Sequence, residues 1–364
     1  MNRAPISQKL RPRGAVEQMH EYHPPLAGRD GLRLDFNENT LAPSPRVQAA
    51  LHRIAAESLT KYPERQHVER IAAQHFGLAP EAVLLTNGVD EALHLVCETY
   101  LEPQDEVIIV TPTFSMYALY AEMTGATVRT IQSDSTLQFP YQRVREAITP
   151  STRLIMLASP NNPTGAAIES SFLLELAAST PQVALLVDEA YYHFHGESVL
   201  YETVTVANLL VARTFSKAYG LAGLRIGLLV GNPDAMRFIR KVSSPYNVNS
   251  IALECLPEAL ADEAYIAWYA DQVLQGRMVA EDAWTRWKVP YWPSHANFIL
   301  MKIGSQHNAF VQTMRRQGVL VRDRSKDPGC DGCVRITLGT LEHTHRGLAA
   351  LENTLKEIAW QAES

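Results

Sequence analysis

The sequence predicts an α/β fold: a large domain built on a mostly parallel central sheet covered by helices, joined to a smaller α+β domain. Three observations predict it. From position 83 onward, short apolar runs alternate with amphipathic stretches, the pattern of successive strand–helix units. Several runs end in polar clusters, and in open parallel sheets such clusters lie where ligands bind. After about position 246 the alternation gives way to a long helical stretch and several short strands.

In chain order, residues 1–39 are rich in proline and arginine and are expected to pack on the smaller domain. Residues 83–86 read as a strand and 90–100 as a helix. Residues 107–110 and 114–124 repeat the pair. Runs at 128–131, 154–157, 185–187 and 209–211 continue the series, with a further strand at 226–230. Right-handed crossovers place the loops after these strands on one edge. Beyond them, 261–287 reads as one long helix and 306–317 and 342–358 as amphipathic helices. Short strands are expected at 289–292, 298–301, 319–321 and 334–337. The expected division is 42–246 for the large domain, with 1–41 and 247–364 together forming the small one.

At 364 residues the chain can bury a large core, and 46% hydrophobic with 20% charged residues suits a globular protein. A net charge of −6 argues against a nucleic-acid partner. No apolar run approaches the roughly 20 residues of a membrane span, and the basic start lacks the apolar centre of a secretory signal. A cytoplasmic location is expected. Cys97 and Cys255 fall in helix-like segments and are expected to be buried thiols. Cys330 and Cys333 form one Cys-x-x-Cys, too few ligands for a structural zinc site; a redox pair is the alternative. His193 and His195 flank Phe194 and read as a loop or strand edge, so no metal site is expected.

The chemistry concentrates in three segments. In Thr214-Phe215-Ser216-Lys217-Ala218-Tyr219-Gly220 a lone lysine sits among small residues and hydroxyls, with Arg225 eight positions later. A lysine amine can condense with an aldehyde cofactor, and the hydroxyls and the arginine suit a cofactor phosphate. Ser159-Pro160-Asn161-Asn162-Pro163-Thr164-Gly165 and Val187-Asp188-Glu189-Ala190-Tyr191 each end an apolar run. Asp188 is then a carboxylate at the mouth of an apolar sheet, costly without a cationic partner, and a protonated pyridine nitrogen is one. Asn162 and Tyr191 are both able to hydrogen-bond a phenolate oxygen. Gly88-Val89-Asp90-Glu91 follows a strand and opens a helix, where free backbone N–H groups suit an anion.

Asn-Pro-Thr-Gly, Asp-Glu-Ala-Tyr and Ser-Lys with arginine eight residues on, in that order, resemble the fold-type I pyridoxal-phosphate aminotransferases over roughly residues 35–355. The resemblance implies a cofactor tethered to Lys217, with Asp188 on its ring nitrogen and catalysis shared by Lys217, Asp188 and Tyr191. It implies phosphate contacts from Thr214, Ser216, Arg225 and the backbone of Val89 and Asp90, and an aromatic ring, Phe114, stacked on the pyridine where relatives often carry tyrosine. It implies that Tyr62 reaches the neighbouring subunit's phosphate, and hence a homodimer.

Within that family the strongest likeness is to histidinol-phosphate aminotransferases, carried by Val319-Leu320-Val321-Arg322-Asp323 and Gly332-Cys333-Val334-Arg335-Ile336-Thr337-Leu338-Gly339-Thr340. The likeness implies that Arg322 and Arg335 grip a substrate phosphate, since guanidinium meets phosphate oxygens in pairs, with Tyr22 and Asn162 assisting. The implied reaction exchanges an amino group between L-histidinol phosphate and 2-oxoglutarate, with glutamate as the other product. Aromatic or broad-range aminotransferases and threonine-phosphate decarboxylase are the alternatives on the same fold. A nicotinamide dehydrogenase is disfavoured, because only Gly88 follows the first strand where three glycines are required. Thr40 in Asn37-Glu38-Asn39-Thr40 departs from the family's usual proline.

Overall fold

The computed structural model describes residues 10–19, 21 and 28–361. After β1 (Leu32–Arg33), seven strands follow: β2 (Val83–Thr86), β3 (Glu106–Thr111), β4 (Thr127–Gln132), β5 (Thr152–Ala158), β6 (Ala184–Asp188), β7 (Leu209–Thr214) and β8 (Gly227–Gly231). They form one sheet in the order β2-β8-β7-β6-β5-β3-β4. The β4/β3, β3/β5, β5/β6 and β6/β7 pairs are parallel, whereas β8 runs antiparallel to both β7 and β2. The apolar runs that predict these strands are continuous because the sheet is covered on both faces. Along β3, Ile108 and Val110 join one core cluster while Val107 and Ile109 join the other.

A second, four-stranded antiparallel sheet has the order β12-β13-β10-β9, from β9 (Tyr291–Trp292), β10 (Phe298–Lys302), β12 (Arg322–Asp323) and β13 (Cys333–Thr337). β11 (Val319–Leu320) pairs in parallel with β1, tying the N-terminal segment to the C-terminal part. The helices at Glu263–Trp287, His307–Arg316 and Leu341–Glu357 lie within a few residues of their predicted spans. Three of the helices open on sequence signals: Asn249 before Ser250–Leu260 and Thr340 before Leu341–Glu357 accept from the N–H groups of Ala252 and His343, and Ser44 precedes Pro45 at the first position of Pro45–Arg53.

All four cysteines are free and buried. Among the described residues, no cluster of three or more His, Cys, Asp or Glu side chains is placed to hold a metal, and no helix is long and apolar enough to cross a membrane.

Candidate active site

The carboxyl ends of the parallel strands converge on a cavity of about 1020 Å³. Asp188 is the last residue of β6 and Thr214 the last of β7, with Ser216 and Lys217 just beyond. Asn162 follows β5, and Phe114 follows β3. Val89 and Asp90 lie in the first turn of the helix Gly88–Tyr100. All of these line the cavity, as do Tyr191, Arg225, Arg322 and Arg335. Two of the predicted residues are not among them. Tyr22 lies outside the described residues. Tyr62 is 81% exposed and stacks on Tyr246 at 4.4 Å, away from its own chain's cavity.

Close packing at the helix start explains two glycines. Gly88 has φ +70°, and a Cβ there would lie 2.6 Å from the Arg225 guanidinium. A Cβ on Gly227 would meet the Gly88 carbonyl carbon at 2.7 Å and the Val89 nitrogen at 2.9 Å. β8 therefore presses on the helix N-terminus only because position 227 has no side chain. Arg225 itself adopts a left-handed backbone, φ 51°, uncommon without glycine. Its guanidinium pairs with Asp90 at 3.0 Å.

The Lys217 ammonium donates to the Phe36 carbonyl at 2.9 Å. Burial, helped by the nearby Arg335 charge, pulls its pKa down to about 8. Asp188 is 6% exposed; it accepts from the Tyr117 hydroxyl at 2.8 Å and the Ala190 N–H at 3.0 Å. Burial outweighs these two donors and pushes its pKa up to about 6. The Tyr191 hydroxyl accepts from the Asn37 amide at 2.9 Å, and burial raises its pKa. Arg335 is buried; it donates to Asn162 Oδ1 and to the Asp35 carbonyl, and burial lowers its pKa to about 9. Among the described residues its Nε has no hydrogen-bond partner. Arg322 stands directly opposite Arg335 in the β12/β13 ladder and lies over the Phe36 ring at 5.1 Å.

The residues fit pyridoxal phosphate. Among the described residues Asp188 has no ion pair, so a buried carboxylate lacks the cation its position calls for. The Val89 and Asp90 turn offers a helix N-terminus to an anion beside Arg225 and Ser216. Lys217, between these features, carries an amine that is neutral in a large fraction of molecules at mild alkaline pH. A pH dependence follows: only the free amine attacks an aldehyde. The rate at which apo-protein captures pyridoxal phosphate is therefore expected to rise with pH, with a midpoint near 8. Stopped-flow absorbance checks this, and a midpoint near 10 would contradict it.

Sequence reasoning missed Tyr117 and Asn37, which hold Asp188 and Tyr191. Tyr117 lies in the segment already singled out for Phe114, three residues on, but its ring reads as ordinary helix core. Asn37 stands in the Asn37-Glu38-Asn39-Thr40 segment, but its link to Tyr191 had no local signal, because that partner lies 154 positions away. The departure at Thr40 has a physical account. Its N–H donates to the Tyr269 hydroxyl at 3.2 Å, a bond that proline has no hydrogen to make.

Known proteins resemble this chain in sequence and in fold. The profile of the family described as aminotransferase class I and II matches residues 29–351. The histidinol-phosphate aminotransferase of Moorella thermoacetica is 31% identical over 354 residues, covering 95% of this chain and 91% of that protein. The histidinol-phosphate aminotransferase of Symbiobacterium thermophilum is 34% identical over 362 residues, covering 95% and 99%. The crystal structure of histidinol-phosphate aminotransferase from Sinorhizobium meliloti in complex with pyridoxal-5'-phosphate superposes with a TM-score of 0.85 over 97% of this chain and 100% of that one. At 22% identity it speaks for the fold. With the profile spanning most of the chain and a lysine, an unpaired carboxylate and a helix N-terminus gathered at one sheet edge, this chain belongs to the class I and II aminotransferases, which are pyridoxal-phosphate-dependent transaminases.

Proposed function

We propose that this chain transfers an amino group between L-histidinol phosphate and 2-oxoglutarate in a ping-pong cycle, a step of histidine biosynthesis. The observation that carries the substrate reading is the direct opposition of Arg322 and Arg335 on the cavity wall. Like charges facing each other across a ladder repel, and a phosphate between them removes the repulsion and takes bidentate bonds. Two of the relatives that cover nearly the whole chain carry the same substrate in their names.

Pyridoxal phosphate, when bound, supplies the electron sink that makes the substrate's α-hydrogen acidic. The rest falls to the chain's own residues. Lys217 would hold the cofactor through its ε-amine and, once free, would carry a proton to and from the substrate's α-carbon. Asp188, ionised at neutral pH, holds the ring nitrogen protonated. Tyr191 and Asn162 hydrogen-bond the ring hydroxyl, and Phe114 stacks on the ring. Thr214, Ser216, Arg225 and the N–H groups of Val89 and Asp90 bind the cofactor phosphate. Arg322, Arg335 and Asn162 hold the substrate phosphate, with Tyr22 assisting.

Residues 42–246 are read as the cofactor domain, and 1–41 with 247–364 as the small domain. The active unit is read as a homodimer in the cytoplasm. The outward-facing Tyr62 and Tyr246 pair supports the idea that Tyr62 serves the neighbouring subunit's site. Half-reactions with single donors, followed by cofactor absorbance, test the reading. L-histidinol phosphate is expected to convert the cofactor fully and faster than phenylalanine. Conversion by phenylalanine alone would indicate a broad-range aromatic enzyme, and carbon dioxide from phosphothreonine would indicate the decarboxylase. Arg322→Ala is expected to lower kcat/KM for histidinol phosphate by roughly 10- to 100-fold, the size of one charge-assisted bond. An equal loss with unphosphorylated donors would count against the phosphate role.

A further inference from the structure

The ladder that holds Arg322 and Arg335 presents a third guanidinium. The Arg324 N–H donates to the Cys333 carbonyl at 2.9 Å, so pairing with β13 continues one residue past β12. Side chains alternate along a strand. Arg324 therefore shares a face with Arg322, and with Arg335 opposite it. All three line the cavity.

Their charges are poorly balanced. Asp327 forms an ion pair with Arg324, and its carboxyl also feels the charges of Arg335 and Arg322. The cavity's other nearby carboxylates are engaged elsewhere. Asp35 and Glu38 hold Arg29, at 2.8 and 2.7 Å, and Glu38 also faces Arg33 at 3.5 Å. Asp323 accepts from the Ser325 N–H at 2.8 Å and faces His307 at 3.3 Å. On the face that Arg322, Arg324 and Arg335 share, among the described residues, three guanidinium groups stand against one paired carboxylate, Asp327. Among the described residues, the buried Nε atoms of Arg324 and Arg335 have no hydrogen-bond partner. A carboxylate brings one negative charge to this face, whereas a phosphate monoester brings nearly two and three acceptor oxygens.

We propose that Arg324 is the third arm of an anion clamp that selects a phosphate monoester over a carboxylate donor, with Asp327 its counter-ion until that anion arrives. The inference rests on the assignment of Arg322 and Arg335 to the substrate anion.

The test uses holoenzyme of wild type, Arg324→Gln and Arg324→Lys. Steady-state constants are measured with L-histidinol phosphate, unphosphorylated L-histidinol and glutamate, together with competitive inhibition by inorganic phosphate. Arg324→Gln is expected to raise both KM for histidinol phosphate and Ki for inorganic phosphate by roughly 10- to 100-fold. Its kcat with saturating histidinol phosphate and its KM for glutamate are expected to stay near the wild-type values. Arg324→Lys keeps the charge without the fork and is expected to recover part of the loss. Unchanged Ki for phosphate in Arg324→Gln, or equal losses with every donor, overturns the clamp. Should Arg324→Gln melt below the assay temperature, Arg324→Lys decides alone: a Ki for phosphate equal to wild type overturns the clamp, and an intermediate one supports it. If wild type fails to use histidinol phosphate while phosphate inhibition still weakens in Arg324→Gln, the substrate reading falls and the clamp stands.

Discussion

Lys217→Ala is expected to lower turnover by about four orders of magnitude or more, because in the proposed function one side chain serves as both tether and proton carrier. Lys326, the other lysine on the cavity, sits between Arg324 and Asp327, away from the strand ends that gather Asp188 and Thr214. The apo-protein should not suffer. Burial holds the folded amine near 8, while an unfolded lysine titrates near 10.4. Between those values the unfolded chain binds more protons, so this group's contribution to stability improves as pH rises through that window. Below about pH 8 the amine is charged in both states, and the cost of holding that charge in the fold is fully present. Alanine removes the cost. Its apo-form is therefore expected to melt higher than wild type at pH 7, with the advantage shrinking toward pH 10. Single-turnover kinetics and paired melting curves check both halves. A variant retaining a tenth of wild-type turnover would end the assignment.

Asp188→Asn is expected to cost about three orders of magnitude in kcat, comparable to or above the loss of one preorganised electrostatic contact. The amide keeps the shape and can still accept from the Ala190 N–H, while its NH2 can donate to the Tyr117 oxygen. What it lacks is the negative charge that, in the proposed function, keeps a ring nitrogen protonated. The stability effect again runs opposite to the activity effect. The folded carboxyl titrates near 6 and an unfolded one near 3.9. Between those values the folded state binds more protons, so stability from this group falls as pH rises through that window. Above pH 6 the buried, unpaired carboxylate is a net cost in the apo-protein. Asp188→Asn should raise the apo melting temperature at pH 7 and reduce the further gain on adding pyridoxal phosphate, since the cationic ring loses its partner. Lower apo stability with kcat near wild type would refute the role. Tyr117→Phe removes one donor to the same carboxylate and should give a smaller loss of the same kind, with the acid limb of the pH profile moved upward.

Much of this site was legible in the sequence because each strand announces its own end. Asp188, Thr214, Ser216, Lys217, Asn162 and Phe114 follow apolar runs that are buried on both faces, so their place at the sheet's carboxyl edge follows from local pattern and chain handedness. The helix at Gly88–Tyr100 carried its own start signal in Gly88. The antiparallel direction of β8 was not legible. An apolar run has no polarity, and only the packing of Gly227 against Gly88 shows how closely that strand meets the helix Gly88–Tyr100.

The sequence by itself determined the chemistry available: a lysine, a carboxylate and a helix start, each at the end of a strand, and two arginines in the C-terminal part. Tertiary structure decided which of these face one another. The Asn37 amide reaches Tyr191, the Asp35 carbonyl reaches Arg335 across 300 positions, and antiparallel register brings Arg322, Arg324 and Arg335 to one face. The reason is physical. Hydrophobic period and turn chemistry act over a few residues, whereas strand register, burial of charge and the resulting shifts at Lys217 and Asp188 exist only once distant segments have excluded water from the same space.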